Sequence, residues 1–268
     1  MHRTTDPRGR LQSARIPMPS NRYEFKSAEG QTLAGRLELP DGESAAFVVF
    51  AHCFTCTSKV KAATAVSRAL CDRGFAVLRF DFTGLGDSEG DFANTNFSSN
   101  VDDLVAAAES LAQTHKSPGL LVGHSLGGAA ALIAAKRLPD VKAVATIGAP
   151  ADPAHLTHLL SENIDEIEEH GVAEVRIGGR PFTIKRDFIE DLKRQTLQQR
   201  VGGLNRPLLI FHAPTDRVVG IENARQLFEA AKHPKSFVSL DGADHLVTDV
   251  KDARFIAEVL TAWASRYL

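Results

Sequence analysis

The sequence predicts an α/β protein with a mostly parallel central sheet and helices on both faces. Three observations carry this reading. Residues 47–50, 75–78, 120–122, 144–147 and 208–211 are unbroken apolar runs, and 237–240 is a weaker sixth. Unbroken runs mark strands buried on both faces, as parallel strands are. Stretches 62–73, 101–114, 127–137, 224–232 and 253–267 lie between or after these runs, with apolar residues at three- and four-residue spacing. Strand then helix, repeated, builds a parallel sheet through right-handed crossovers. The third observation is Gly123-His124-Ser125-Leu126-Gly127, set between the run 120–122 and the apolar stretch 128–136. A strand, a sharp turn and a helix is the context in which G-x-S-x-G forms a nucleophile elbow.

The remaining segments fit around this frame. Residues 1–20 are polar, carry Pro7, Pro17 and Pro19, and read as a flexible arm. Stretches 23–27 and 32–39 follow, with Glu29-Gly30 between them, and read as an opening hairpin. The rest, 21–268, reads as one domain. Between Pro150 and about Arg200 the alternation stops. Residues 156–170 form an acidic helical segment, 175–184 a hairpin turning at Gly178-Gly179, and 187–199 another helix. An insertion at about 151–200, following a strand end, is expected to lie over the active face as a small cap.

Composition narrows the function. The chain has 268 residues, 43% hydrophobic and 24% charged, with a net charge of −2, so neither nucleic acid nor a membrane is expected as a partner. No run reaches the length of a membrane span. The first twenty residues lack the apolar core of a secretory signal. Three cysteines, an odd number, argue against a disulfide framework and for a reducing, cytoplasmic compartment. The sequence leaves the oligomeric state open.

The elbow implies a reaction. A serine hydroxyl needs a base to take its proton, and a histidine base needs a carboxylate to fix its tautomer. Ser125 is followed by Asp216, after the run 208–211, and by His245, after the run 237–240. The order Ser, Asp, His suits this topology, and all three lie just past carboxyl ends of expected strands, where such sheets bind ligands. His124 adjoins the nucleophile and is expected to project away from its hydroxyl. Asp241 and Asp244 are too near His245 in the chain to orient it well. The oxyanion needs preorganised donors: the backbone N–H of Leu126 and, from the loop His52-Cys53-Phe54-Thr55-Cys56, that of Phe54. Gly123 and Gly127 are expected because a β-carbon would clash where strand and helix cross.

With these residues in place, the chain resembles the α/β-hydrolases over about residues 22–268, including the turn Asp81-Phe82-Thr83-Gly84-Leu85-Gly86-Asp87-Ser88. AHCFTC, LRFDFTGLGDSEGDFANTNFSSN, GHSLGG, GRPFTIKRDF and HPKSFVSLDGADHL resemble most closely the hydrolase halves of bacterial proteins that join this fold to an OsmC-like peroxide-reducing domain. That redox domain is not expected in this chain, which runs to Leu268. Cys53 stands where commoner relatives often have glycine after the loop histidine. The resemblance implies an α/β-hydrolase fold with a small cap insertion and esterase-type hydrolysis of a small-molecule ester, with no cofactor or metal. Thioesterase, amidase and perhydrolase chemistry would use the same parts.

Other motifs point elsewhere and are weighed against this. Cys53 and Cys56 form C-x-x-C between a strand and a helix, where thiol–disulfide oxidoreductases carry their redox pair. Packing of two small thiols around the oxyanion loop is the favoured reading, with ester turnover indifferent to mild reductant. Zinc would need a fuller ligand set. Gly84, Gly86 and Gly90 read as a plain turn, because no apolar helix begins there. A hydrolase fold kept as a ligand receptor without turnover is a third class.

Overall fold

Alternating buried and exposed residues open the chain. In the computed structural model, which describes residues 20–268 apart from 178 and 196, β1 (Ser20–Lys26) and β2 (Thr32–Glu38) pair antiparallel, with Gly30 at a positive φ in the turn. The arm expected at 1–20 lies outside the described residues except for Ser20, which begins β1. The core alternation follows: β3 (Ala46–Ala51), α1 (Lys61–Cys71), β4 (Phe75–Phe80), α2 (Phe97–Thr114), β5 (Leu120–His124), α3 (Leu126–Ala134) and β6 (Ala143–Ile147). Then come α4 (Ile164–His170), β7 (Val172–Ile177), β8 (Arg180–Lys185), α5 (Arg186–Arg194) and α6 (Leu197–Gly202), and finally β9 (Leu208–His212), α7 (Glu222–Ala230), β10 (Lys235–Ser239) and α8 (Val250–Ala264).

Eight strands form one sheet in the order β1-β2-β4-β3-β5-β6-β9-β10. The six from β4 to β10 run parallel, and β2 meets β4 antiparallel. Each strand feeds both faces, because successive side chains point to opposite sides. Phe47 and Val49 of β3 join Leu121, Leu104 and Leu132 in one core, with α2 and α3. Val48 and Phe50 join Val122, Leu70 and Leu260 in the other, with α1 and α8. Burial of each such side chain stabilises the fold by roughly 1.5–3 kcal/mol, and both faces are filled along β3, β4, β5, β6 and β9, so these read as solid apolar runs, whereas the edge strand β10 is partly exposed and its run is weaker. Among the described residues no helix is long and apolar enough to cross a membrane.

The expected elements differ from the observed ones mainly at their ends and in the insertion. Helix α2 begins at Phe97, four residues before the expected start, because Asn96 caps it. The Asn96 side chain accepts from the Ser99 amide, and the Ser99 hydroxyl side answers at the Asn96 backbone. The acidic segment divides into a 3₁₀ stretch at Pro153–Asn163 and the short α4. The second insertion helix also divides, into α5 and α6, after Gln195 takes an extended conformation.

Candidate active site

The elbow is built by steric demand. Ser125 sits between β5 and α3 at φ 55, ψ −127, a region costing a non-glycine residue of order 1–3 kcal/mol. Its amide donates to the Ile147 carbonyl at 2.8 Å, and its carbonyl accepts from Gly128 at 2.9 Å, so the strained turn is tied at both ends. A β-carbon on Gly123 would lie 2.3 Å from the Gly127 carbonyl oxygen, which is the expected strand–helix clash. The Gly127 constraint is different. Its β-carbon would lie 2.3 Å from the His52 carbonyl oxygen and 2.5 Å from that of Ala51, so this glycine seats α3 against the neighbouring strand end.

Three loops at the carboxyl edge of the sheet bring Ser125, Asp216 and His245 together. His245 Nε2 lies 3.1 Å from Ser125 Oγ, and its Nδ1 lies 2.7 Å from Asp216 Oδ2. A carboxylate only accepts, so Nδ1 carries the proton and Nε2 presents a lone pair to the hydroxyl. Asp216 Oδ1 accepts from the amides of Val218 and Val219 at 2.8 and 2.9 Å. Burial works to raise this carboxyl, but the hydrogen bonds from His245 and the two amides outweigh it and hold it below the ordinary carboxylate range. Gly148, just past β6, lies beside the pair at φ 56, and a β-carbon there would be in ordinary contact with His245 Nδ1 at 3.4 Å and Asp216 Oδ2 at 3.5 Å. Asp241 and Asp244 bond locally instead, to Ser239 and Thr248.

Two further histidines support this arrangement, and their sequence context gave no hint of it. His124 does project away from the Ser125 hydroxyl, as expected, but its Nε2–H donates to the backbone carbonyl of His245 at 2.7 Å. Burial, reinforced by the nearby His245, pushes its pKa down to about 4, so it is a neutral donor. His212 donates from Nε2 to the Val219 carbonyl at 2.7 Å, and burial lowers its pKa too. The loops bearing Asp216 and His245 are therefore each held through a backbone carbonyl.

Leu126 is the first residue of α3, where amides lack intrahelical acceptors. Opposite lies the loop after β3. His52 is buried and neutral, its pKa lowered by burial, and its Nδ1–H donates to the Cys53 carbonyl at 2.8 Å. The Cys56 amide donates to the same carbonyl at 3.2 Å, closing a turn through Phe54 and Thr55. Arg180, from the tip of the β7–β8 hairpin, donates to the Thr55 carbonyl. Downstream, the Ser58 amide donates to Asp81, and the Ser58 carbonyl accepts from Arg79 at 2.6 Å. Beside the loop stands an aromatic wall. The Phe54 ring lies 5.2 Å from Phe188 and 5.7 Å from Phe92, which lies 5.2 Å from Phe182. Phe182 and Phe188 belong to the insertion, which thus flanks the loop.

The cysteines require a correction. The expectation was of packed thiols in a chain without disulfides, yet Cys53 and Cys56 are joined by a disulfide. The turn brings their Cα atoms to 5.4 Å, within bridging reach, and a four-residue turn needs no wider framework. The support that cysteine number lent to a reducing compartment goes with it. Cys71 is buried, and burial pushes its thiol up to about 12. No cluster of metal-binding side chains occurs among the described residues. Gly84, Gly86 and Gly90 all take positive φ in the turn expected of them.

The mostly parallel sheet, the sharp turn at Ser125 and the loops gathered past its carboxyl edge are those of the α/β-hydrolases. Comparison with known proteins agrees. A model of the serine aminopeptidase S33 family matches residues 42–156. The esterase domain of a Rhodothermus marinus protein is 49% identical, covering 93% of this chain and 99% of its own, with a TM-score of 0.75. The mitochondrial palmitoyl-protein thioesterase ABHD10 of Rattus norvegicus is 25% identical over 217 residues, 78% of this chain and 72% of that protein. Mouse α/β hydrolase domain-containing protein 10, at 21% identity and a TM-score of 0.74 over 92% of this chain and 99% of its own, shares the fold. The chain belongs to the α/β-hydrolase superfamily.

Proposed function

We propose that the protein is a serine esterase that hydrolyses carboxylic esters with short acyl groups. The observation that carries this is the relay from Ser125 Oγ to His245 Nε2 at 3.1 Å and from His245 Nδ1 to Asp216 Oδ2 at 2.7 Å. Ser125 attacks the ester carbonyl while His245 takes its proton, and Asp216 stabilises the imidazolium. The oxyanion is held by the N–H groups of Leu126 and Phe54. His245 then protonates the departing alcohol, leaving an acyl-enzyme on Ser125. Water, deprotonated by His245, attacks that ester and frees the acid. No metal or cofactor takes part in these steps.

The short-acyl reading rests on the wall of Phe54, Phe92, Phe182 and Phe188 and on the small space behind it. The cavity lined by Phe54, Leu126, Phe97 and Leu85 measures about 10 Å³, room for one water rather than an alkyl chain. The similarity to the Rattus norvegicus thioesterase favours one other reading, thioester hydrolysis, with the same three groups in the same roles. Oxygen- and thioester pairs sharing one acyl group separate the two.

The deciding experiment is Ser125→Ala. It should abolish covalent labelling by a fluorophosphonate and lower kcat on p-nitrophenyl butanoate by at least about 10⁴-fold. Near-normal turnover in that variant would remove Ser125 from the mechanism.

A further inference from the structure

The Cys53–Cys56 disulfide is not used by the proposed hydrolysis, yet it encloses one of its oxyanion donors. Phe54 and Thr55 are the only residues inside the ring that the bridge closes. The turn they form is costly on its own. Thr55 is β-branched and sits at φ 57, where such a residue is a genuine outlier and pays of order 1–3 kcal/mol. Four things hold it there: the bridge, the weak 3.2 Å turn hydrogen bond from Cys56 to Cys53, the Arg180 bond to the Thr55 carbonyl, and the Thr55 hydroxyl, which donates to the Phe54 carbonyl at 2.7 Å. On one side the loop packs through the Phe54 ring on Phe92 and Phe188. The cavity of about 10 Å³ behind it is lined by His52, Cys53, Phe54 and Thr55 themselves. His52 Nε2 and Asn100 Oδ1, on two of its lining residues, are buried and have no partner.

Opening the bridge would therefore remove a constraint from a strained turn. Thr55 can then return to the extended region, and rotating the peptides on either side of Phe54 turns its N–H away from the oxyanion. The disturbance stays local, because Ser58 remains fastened to Asp81 and Arg79 and His52 follows directly on β3. The two sulfurs also differ in access. Cys53 is 3% exposed, whereas Cys56 is half-buried, so an incoming thiolate meets Cys56 first.

We propose that Cys53–Cys56 is a thiol–disulfide exchange site, served by small dithiols and disulfides, whose oxidised state holds the Phe54 oxyanion donor in place and whose reduced state slows ester hydrolysis. In the reducing direction a thiolate of the dithiol attacks Cys56 Sγ, forming a mixed disulfide and breaking the bond to Cys53. Cys53 leaves as a thiolate and takes a proton from water. The second thiolate of the dithiol attacks its own sulfur in the mixed disulfide, closes the reductant into a cyclic disulfide and releases Cys56 as a thiolate, which is protonated in turn. Two electrons pass from dithiol to protein. The inference rests on the oxyanion role proposed for Phe54.

The test uses the full chain, with p-nitrophenyl butanoate as substrate and excess reagent removed by gel filtration before each assay. The protein is taken through dithiothreitol and then oxidised glutathione, with denatured thiols counted at each stage. Reduction should raise the count from one, Cys71, to three. It should lower kcat at least about tenfold with KM nearly unchanged, up to the about 10²–10³-fold that loss of a whole donor costs. Reoxidation should restore the count and the rate together. Cys56→Ser should run at the reduced rate and ignore reductant, and Cys71→Ala should respond as the parent does. A reduced protein with kcat within twofold of the oxidised one overturns the proposal, as does a thiol count of three before any reductant is added. Should Cys56→Ser fail to fold, the cycle on the parent still decides. An oxidised protein that hydrolyses no ester and takes no fluorophosphonate would instead sink the esterase reading, and the gate with it.

Discussion

At the scale of single residues, the site depends on groups that touch neither substrate nor nucleophile. His124 is the clearest. Its Nε2–H bond to the His245 carbonyl, at 2.7 Å, fixes the backbone from which the proposed base projects. A buried carbonyl stripped of its donor costs about 1–3 kcal/mol. His124→Ala should accordingly lower kcat about tenfold with little change in KM, and His124→Gln, which keeps an N–H donor, should recover most of it. The same side chain has a signature in pH. Its folded pKa, about 4, lies below the ordinary 6.5, so between those values the unfolded chain binds a proton that the folded one does not. Its contribution is fully present above about pH 6.5 and is lost as pH falls toward 4, by up to roughly 3 kcal/mol. Unfolding free energies of parent and His124→Gln, measured across that window, should show the steeper acid loss in the parent. Parallel curves would mean that His124 is not held neutral by burial.

At the scale of elements, the site is a set of close approaches between chain segments. Helix α3 begins directly beneath Ser125 and can sit there only because Gly127 lets it touch the backbone of β3 and the His52 loop. Alanine normally suits a helix better than glycine by roughly 0.5–1 kcal/mol. Here its β-carbon would lie 2.3 Å from the His52 carbonyl oxygen, and overpacking against backbone costs typically 1–3 kcal/mol. The clash wins, so Gly127→Ala should destabilise the protein, and by pushing the loop toward Phe54 it should depress kcat beyond what the loss of folded protein explains. Rates normalised to folded protein, with melting temperatures alongside, check this; a normalised kcat equal to the parent's would mean the loop does not transmit the clash. The same elements show what the sequence can reveal. Strands β3, β4, β5, β6 and β9 were legible because burial on both faces leaves unbroken apolar runs, and the meeting of Ser125, Asp216 and His245 was legible because each follows an expected strand, the last of them the weaker run 237–240. The start of α2 was not, since Phe97 to Asn100 carry no helical periodicity and the Asn96 cap sets the boundary. The division of the insertion helix at Gln195 also leaves no pattern in the chain. His124, His212 and Gly148 acquire their parts only through contacts between distant loops, and the Cys53–Cys56 bridge depends on a turn at Thr55 that a β-branched residue does not advertise.

At the scale of the whole molecule, the two sides of the site differ in enclosure. On the side of Leu126 and Phe54, the insertion between β6 and β9 closes the space with Phe182 and Phe188 against Phe54 and Phe92. On the side of His245, where the departing alcohol lies in the proposed hydrolysis, Leu246 and Val218 are 49% and 50% exposed. An ester seated with its carbonyl oxygen between Leu126 and Phe54 therefore meets a short pocket with its acyl group and open solvent with its alcohol. This asymmetry yields a prediction about substrate range. kcat/KM should fall from butanoyl to dodecanoyl esters of one alcohol, yet vary little among butanoyl esters of alcohols of increasing size, because apolar groups are discriminated only where they are enclosed. Phe188→Ala should narrow the butanoyl–dodecanoyl difference about tenfold, since one ring removed from the wall opens space for several methylenes at roughly 0.8 kcal/mol each. A parent that prefers dodecanoyl esters, or a Phe188→Ala chain with an unchanged acyl profile, would contradict the walled acyl side and place the selective pocket elsewhere on the carboxyl edge of the sheet.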